Sequence, residues 1–119
     1  MLLVEDDEEV AALVEQMLDE LGYRVTRAAS ATAALGALAN GRKVDLVFSD
    51  IMMPGGMNGV ELAREVRRRR SDTPVLLTSG YAEAARNAAE AEGVQILPKP
   101  YSIGDLAAAL AGTVQRNSG

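Results

Sequence analysis

The run Val47-Phe48-Ser49-Asp50-Ile51-Met52-Met53-Pro54 decides how the chain folds. With Val44 and Leu46 just before it, the run is apolar, rich in β-branched and aromatic residues, and without helical period. That is the pattern of a strand covered on both faces. Pro54, Gly55 and Gly56 then forbid continuation. Asp50 is thereby placed at the carboxyl end of a central strand. A lone ionised carboxylate near a core is costly to desolvate. Packing does not account for such an acid, and Asp50 is the candidate reactive group.

Outward from this strand, the chain alternates. Leu2-Leu3-Val4 reads as a first strand, and five acids follow it, Glu5 to Glu9. Asp6 or Asp7 suits an N-cap, with Glu8 and Glu9 in a first turn favoured by the helix dipole. Val10, Leu13, Val14, Met17, Leu18 and Leu21 form an i, i+3, i+4, i+7 stripe, which predicts an amphipathic helix ending at Gly22. Tyr23 to Ala28 alternates and predicts an edge strand. Ser30 is placed to cap an Ala-rich helix through Leu35 and Leu38, closed near Asn40-Gly41.

Beyond the central strand, Asn58 is placed to cap a helix with Val60, Leu62, Ala63 and Val66 inward. Arg64 and Arg67 to Arg70 read as a solvated helix end favoured by the dipole. Pro74 to Ser79 predicts a fourth strand, and Ala82 to Glu92 a helix stopped at Gly93. Val94 to Leu97 predicts a fifth strand, ended at Pro98-Lys99-Pro100. Ser102 is placed to cap a last helix with Ile103, Leu106, Ala107, Leu110 and Val114 inward. Strand and helix thus alternate five times, which implies an α/β fold: a five-stranded parallel sheet, helices on both faces, right-handed crossovers. Ligands of such sheets bind at the carboxyl edge.

Composition narrows the chemistry. The 119 residues suit one domain, and 48% hydrophobic content is enough for a packed core, though 3% aromatic content makes that core aliphatic. Cysteine and histidine are both absent. This excludes disulfides, thiolate catalysis and cysteine-ligated zinc, and removes the usual general base near neutral pH. A net charge of −5 argues against nonspecific nucleic-acid binding. No apolar run reaches the ~18 residues of a membrane span. Met1-Leu2-Leu3-Val4 is too short for a leader, and the cytoplasm is the expected compartment. The chain reads either as a small free-standing protein or as a domain excised from a longer one.

The strand ends collect one kind of chemistry. Asp6 and Asp7 follow the first strand, Asp50 ends the third, Thr78-Ser79 the fourth, and Lys99 follows the fifth. Three carboxylates on one rim repel one another. A hard divalent cation relieves this, since Mg²⁺ takes one or two carboxylates, waters and phosphate oxygens. Lys99 and Ser79 suit the remaining oxygens of a phosphoryl group. An Asp carboxylate can itself become phosphorylated. Glu5, Glu8 and Glu9 read as solvated or first-turn charges.

On these residues the chain resembles a response-regulator receiver domain of bacterial two-component signalling. The resemblance rests on Asp6-Asp7 after Leu2-Leu3-Val4, Asp50 before Met52-Met53-Pro54 and Gly59, Ser79 after Pro74-Val75-Leu76-Leu77-Thr78, and Lys99-Pro100. The intervals Asp7–Asp50, Asp50–Ser79 and Ser79–Lys99 are 43, 29 and 20 residues, in the family's order. The resemblance spans the chain, residues 1–119 as a single receiver domain. It implies a flavodoxin-like (βα)5 fold with strand order 2-1-3-4-5. It implies Asp50 as phosphoacceptor, Asp7 binding Mg²⁺ (or Mn²⁺) directly, Asp6 binding it directly or through water, and the Met52 backbone carbonyl adding an oxygen. Ser79 would hydrogen-bond the phosphoryl group, Lys99 would pair with Asp50 or its phosphate, and the Lys99–Pro100 bond would be cis. The implied partner is a sensor histidine kinase or a histidine phosphotransfer protein, with no nucleic acid or membrane bound by this domain, which would be a monomer or weak dimer. Gly55-Gly56-Met57-Asn58-Gly59 is most similar to receivers of hybrid sensor histidine kinases. Ile96 stands where strongly switching receivers carry Tyr or Phe, so the expected output change is smaller or runs through the fourth helix and Tyr81.

Two other readings use the same residues. A haloacid-dehalogenase-like phosphatase also uses Asp and Mg²⁺ on an α/β sheet, but its two acids stand two apart on the first strand, whereas Asp6 and Asp7 are adjacent. A pseudo-receiver acting only as a binding module would not need the intact set Asp50, Asp6, Asp7 and Lys99.

Overall fold

The computed structural model describes residues 1–41, 44–51, 57–70, 72–79, 93–99 and 101–118. Its strands are β1 (Leu2–Val4), β2 (Thr26–Ala28), β3 (Val47–Asp50), β4 (Val75–Ser79) and β5 (Gln95–Pro98). All pairings are parallel and the order is β2-β1-β3-β4-β5, as the resemblance implied. The helices among the described residues are α1 (Glu8–Glu20), α2 (Ala31–Ala39), α3 (Gly59–Arg69) and α4 (Ile103–Ser118). The expected helix over 82–92, Tyr81, the Met52 carbonyl, the turn at 54–56 and Pro100 lie outside the described residues.

Strand alternation divides the core between the two faces of the sheet. Leu3, Phe48, Leu76 and Leu97 pack with Ala11, Val14 and Leu18 of α1 and Leu106, Ala109 and Leu110 of α4. On the other face, Leu2, Val4 and Val47 pack with Ala31, Ala34 and Leu38 of α2 and Leu62 and Val66 of α3. Ile51 and Leu77 join Val60 and Ala63 of α3 there. The central strand is buried on both faces, as its composition predicts.

The caps fall where the sequence places them. Ser30 Oγ accepts from Ala33 N–H at 3.1 Å. Asn58 and Glu61 close a reciprocal capping box at 2.9 and 3.0 Å. Ser102 and Asp105 do the same for α4 at 3.1 and 3.0 Å. Gly22, at φ +90°, ends α1 in a conformation that side chains resist.

Four expectations need correction. The second strand covers only Thr26–Ala28 rather than Tyr23–Ala28, because β1 offers just three residues for it to pair with. Val10 and Leu13 of the α1 stripe are exposed, Leu13 at 61%; Ala11, Val14 and Leu18 are the buried positions. One residue is about 100° around a helix, so Val14 and Leu13 cannot both face the sheet. Ile103 is also exposed, at the first residue of α4. The arginine run is exposed as expected up to Arg69, with Arg68 and Arg69 bonding Glu65, but Arg70 is half-buried and its Nη2 donates to the Leu38 carbonyl at 2.7 Å, tying α3 to the end of α2.

Gly59 links this frame to the rim. Its N–H donates to the Ile51 carbonyl at 2.9 Å. A Cβ at this position would stand 2.8 Å from Ile51 Cα and closer still to the Asp50 carbonyl oxygen. Both are backbone atoms that cannot turn aside. Gly59→Ala should therefore displace the Asp50–Ile51 backbone and cost about 1–3 kcal/mol, the usual range for overpacking. Urea denaturation monitored by circular dichroism checks this, and an unchanged midpoint would refute the close approach.

Candidate functional site

The register of β1 on β3 builds the rim. Leu2, Leu3 and Val4 pair with Val47, Phe48 and Ser49. One step further places Glu5 beside Asp50, and Glu5 N–H still donates to the Ala28 carbonyl at 3.0 Å as a continuation of the sheet. Glu5 is only 6% exposed. This overturns its reading as a solvated charge. Burial pushes its carboxyl above the ordinary range, the hydrogen bond from Asp7 N–H (3.1 Å) and the Lys99 charge oppose this, and the negative charges of Asp50 and Asp6 reinforce it.

The acids after Glu5 divide between strand end and helix. Asp7 is the N-cap of α1: its Oδ1 accepts from Glu9 N–H at 2.9 Å and Val10 N–H at 3.1 Å. Asp6, exposed, stands between the buried acid and the cap. Thus the two acids that the sequence pairs are parted by the structure, and the acid set opposite Asp50 is Glu5. Among the described residues no three acidic side chains converge into a ready metal cage.

Lys99 closes the rim from β5. Its Nζ donates to Asp50 Oδ2 at 2.7 Å, with the two side chains 33% and 12% exposed. Its N–H donates to the Ser79 carbonyl at 2.9 Å, which fixes the lysine beside the end of β4. Ser79 itself is buried, one residue past Thr78, the register partner of Asp50. Asp50, Ser79 and Lys99 are therefore gathered from three adjacent strands, while the Met52 carbonyl lies outside the described residues.

Tyr101 belongs to the same neighbourhood, and sequence reasoning passed over it. Its ring meets Phe48 edge-on, centroids 6.3 Å apart. Burial pushes its hydroxyl up to about 12, with the charges of Glu5 and Asp50 adding to the effect. It stays neutral within reach of the Glu5 and Asp50 charges. One sequence signal pointed to Glu5: strand alternation puts it on the face of Leu3. With five acids in a row, however, nothing in sequence shows where strand stops and cap begins.

The donor set is oxygen throughout, with one ammonium. That suits a hard divalent cation and an anionic group with oxygens to spare, and it offers no soft ligand for a transition metal.

Comparison with known proteins agrees with this geometry. A family model described as the response regulator receiver domain matches residues 1–111. The chain is 41% identical over 110 residues to the sensor kinase CckA of Brucella abortus, covering 90% of this chain but 12% of that protein. It is 32% identical over 120 residues to the response regulator MprA of a Mycobacterium species, covering 99% of this chain and 51% of that one. A signal receiver domain of an HD domain-containing protein from Pseudomonas fluorescens superposes with a TM-score of 0.87 at 31% identity, covering 98% of this chain and 94% of its own. A response regulator receiver protein from Sinorhizobium medicae gives 0.88 at 26% identity, with the same coverage. The chain spans about half or less of the curated relatives named. With the strand order, the rim and a family model that covers nearly all of it, the chain belongs to the response-regulator receiver domains of two-component signalling.

Proposed function

We propose that Asp50 accepts a phosphoryl group from a phosphohistidine of a partner, assisted by a divalent cation on the Glu5–Asp6–Asp50 side of the rim. The observation that carries this is the Lys99 Nζ–Asp50 Oδ2 contact at 2.7 Å beside a buried second carboxylate, Glu5. Neighbouring strands are ~5 Å apart, and two carboxylates within about that distance would repel by roughly 3 kcal/mol at an effective dielectric of 20. Lys99, at 2.7 Å from Asp50, offsets this repulsion with a single positive charge against two carboxylates. One ammonium against two carboxylates leaves the rim net negative, and a divalent cation would supply the missing charge. Receiver domains use a divalent metal for phosphorylation; Mg²⁺, or Mn²⁺, fits this oxygen set. Asp6 and Asp50 are the direct ligands in this reading, Glu5 acts through water, and Asp7 keeps to its cap. The Met52 carbonyl is a further proposed ligand.

In the transfer, an oxygen of the Asp50 carboxylate attacks phosphorus. The O–P bond forms, the P–N bond breaks, and the imidazole nitrogen leaves with the bonding pair. The cation, when bound, offsets charge on the phosphoryl oxygens. Lys99 turns its ammonium from Asp50 to the same oxygens, and the Ser79 hydroxyl hydrogen-bonds one of them. The alternative phosphatase reading loses ground on the family match, and the binding-module reading on the assembled Asp50–Lys99 pair.

The partner is a histidine kinase or phosphotransfer protein, presenting its histidine from a helix. The exposed Val10 and Leu13 lie in the first turns of α1, directly after the capping Asp7. Ile103 opens α4, which packs on the same sheet face. An apolar helix surface laid against them places a histidine over the rim. The higher identity to the sensor kinase than to the response regulator favours a kinase-linked receiver. No helix among the described residues is long and apolar enough to cross a membrane, and we place this domain in the cytoplasm.

Incubation with acetyl phosphate and Mg²⁺ should give a mass increase of one phosphoryl group, absent from Asp50→Asn. Turnover of acetyl phosphate with no adduct would instead support the phosphatase. For docking, Leu13→Glu should slow transfer from a phosphohistidine partner at least about 10-fold, one buried leucine being worth about 1.5–3 kcal/mol, and leave acetyl phosphate labelling unchanged. Equal loss on both donors would refute the docking face.

Glu5 gives a pH prediction for the metal-free protein. Its folded carboxyl titrates above the ordinary glutamate value of 4.5. The associated stability is present below that value and lost as pH rises through the raised one, so charged Glu5 is a net cost at neutral pH. In chelator, Glu5→Gln should be more stable than the native sequence at pH 7.5, and the difference should shrink by pH 4.5. Urea midpoints at the two pH values check it; a less stable variant at pH 7.5 would reverse the sign.

A further inference from the structure

Arg27, in the middle of the edge strand β2, reaches across to the turn between β1 and α1. Its Nε donates to the Glu5 carbonyl at 3.0 Å and its Nη2 to the Asp6 carbonyl at 3.2 Å. Both acceptors are main-chain oxygens, although the same two residues carry carboxylates. The guanidinium thus acts as a fork across two consecutive carbonyls. Behind it, Glu5 N–H is held by the Ala28 carbonyl, the residue next to Arg27. Beyond Asp6, Asp7 begins the capping of α1. The two acids on the rim are therefore suspended between a sheet bond on one side, a cap on the other, and Arg27 across the middle.

We propose that Arg27 is a positioning residue for the divalent-cation site, fixing the main chain of Glu5 and Asp6 so that their carboxylates are presented to Asp50. This rests on the reading of those acids as the cation side of the rim. The chemistry fits. A turn carbonyl without a partner in the chain is left to water and the turn to its own flexibility. A planar fork with donors at fixed spacing can hold two such carbonyls at once; the ammonium of a lysine, a point donor, cannot. Residues that orient metal ligands without touching the metal commonly govern affinity.

The proposal has an electrostatic rival with the opposite sign. A positive charge beside a cation site repels the cation. If charge were the whole effect, removing it would tighten binding. If Arg27 acts by orientation, removing it weakens binding in spite of the relieved repulsion. Arg27→Gln removes the charge, and Arg27→Lys keeps the charge but loses the fork.

Isothermal titration of the metal-free chain with MgCl₂ at constant ionic strength separates these. Thr26→Ala, an exposed neighbour on the same strand, controls for disturbance of the edge, and thermal melts in chelator confirm folding. The expected result is Mg²⁺ binding weakened about 10-fold in both Arg27→Lys and Arg27→Gln, the lower end for lost orienting contacts, with Thr26→Ala at the native value. Native affinity in Arg27→Lys, or tighter binding in Arg27→Gln, overturns the proposal and leaves the cation site standing. Loss of affinity in Thr26→Ala equal to that of the Arg27 variants also overturns it, since the edge strand rather than the fork would then be responsible. Failure of the native chain to bind Mg²⁺ overturns the reading of the rim itself, and the proposal with it.

Discussion

Glu5 and Asp50 lie side by side at the ends of two adjacent parallel strands, and both are largely withdrawn from water. Two like charges in that position are tolerated only with compensation. The surrounding structure reads as that compensation. Lys99 is brought from β5 to within 2.7 Å of Asp50, and its own backbone is held to Ser79 of β4. Asp7 N–H bonds the Glu5 carboxylate. Tyr101, within reach of both charges, stays neutral and adds none of its own. The proposed cation and phosphoryl site rests on the negative charge that these groups leave at the rim.

The scaffold achieves this by stopping strands at one level. β3 ends on Asp50, whose register mate on β4 is Thr78, and Ile51 N–H still donates to the Thr78 carbonyl at 3.0 Å. Gly59 then lets α3 start against the backbone of Asp50 and Ile51, where no side chain fits. The buried aliphatic layers on each face hold the strand ends in place. Their stability is thus connected to the site through backbone geometry.

Much of this was legible beforehand. The alternation of short apolar runs with capped amphipathic segments led to the α/β class, and the turn-formers after Asp50 marked the strand end. Ser30, Asn58 and Ser102 were readable as caps because each is a short polar side chain just before a helical pattern. The α1 stripe was read too generously: Val10 and Leu13 match a helical period as well as Ala11 does, yet the small Ala11 is the one against the sheet. Apolar spacing marks a face about 100° wide, and its centre is set by what packs against it.

The instructive case is the acidic run Glu5 to Glu9. By itself the sequence determined that the first strand ends in acids, that an acid would cap the helix, and that the capped helix would start there, because the residue types needed for both roles are present. It could not determine which acid did which. Successive strand residues face opposite sides of a sheet, so a shift of one residue exchanges every role. The pairing of Val4 with Ser49 settles that shift: it carries Glu5 to Asp50, leaves Asp7 to the helix, and puts the Glu5 and Asp6 carbonyls within reach of Arg27, 21 residues beyond Asp6 in the chain. The tertiary structure decided this because register is a property of two strands together, and neither strand specifies it alone.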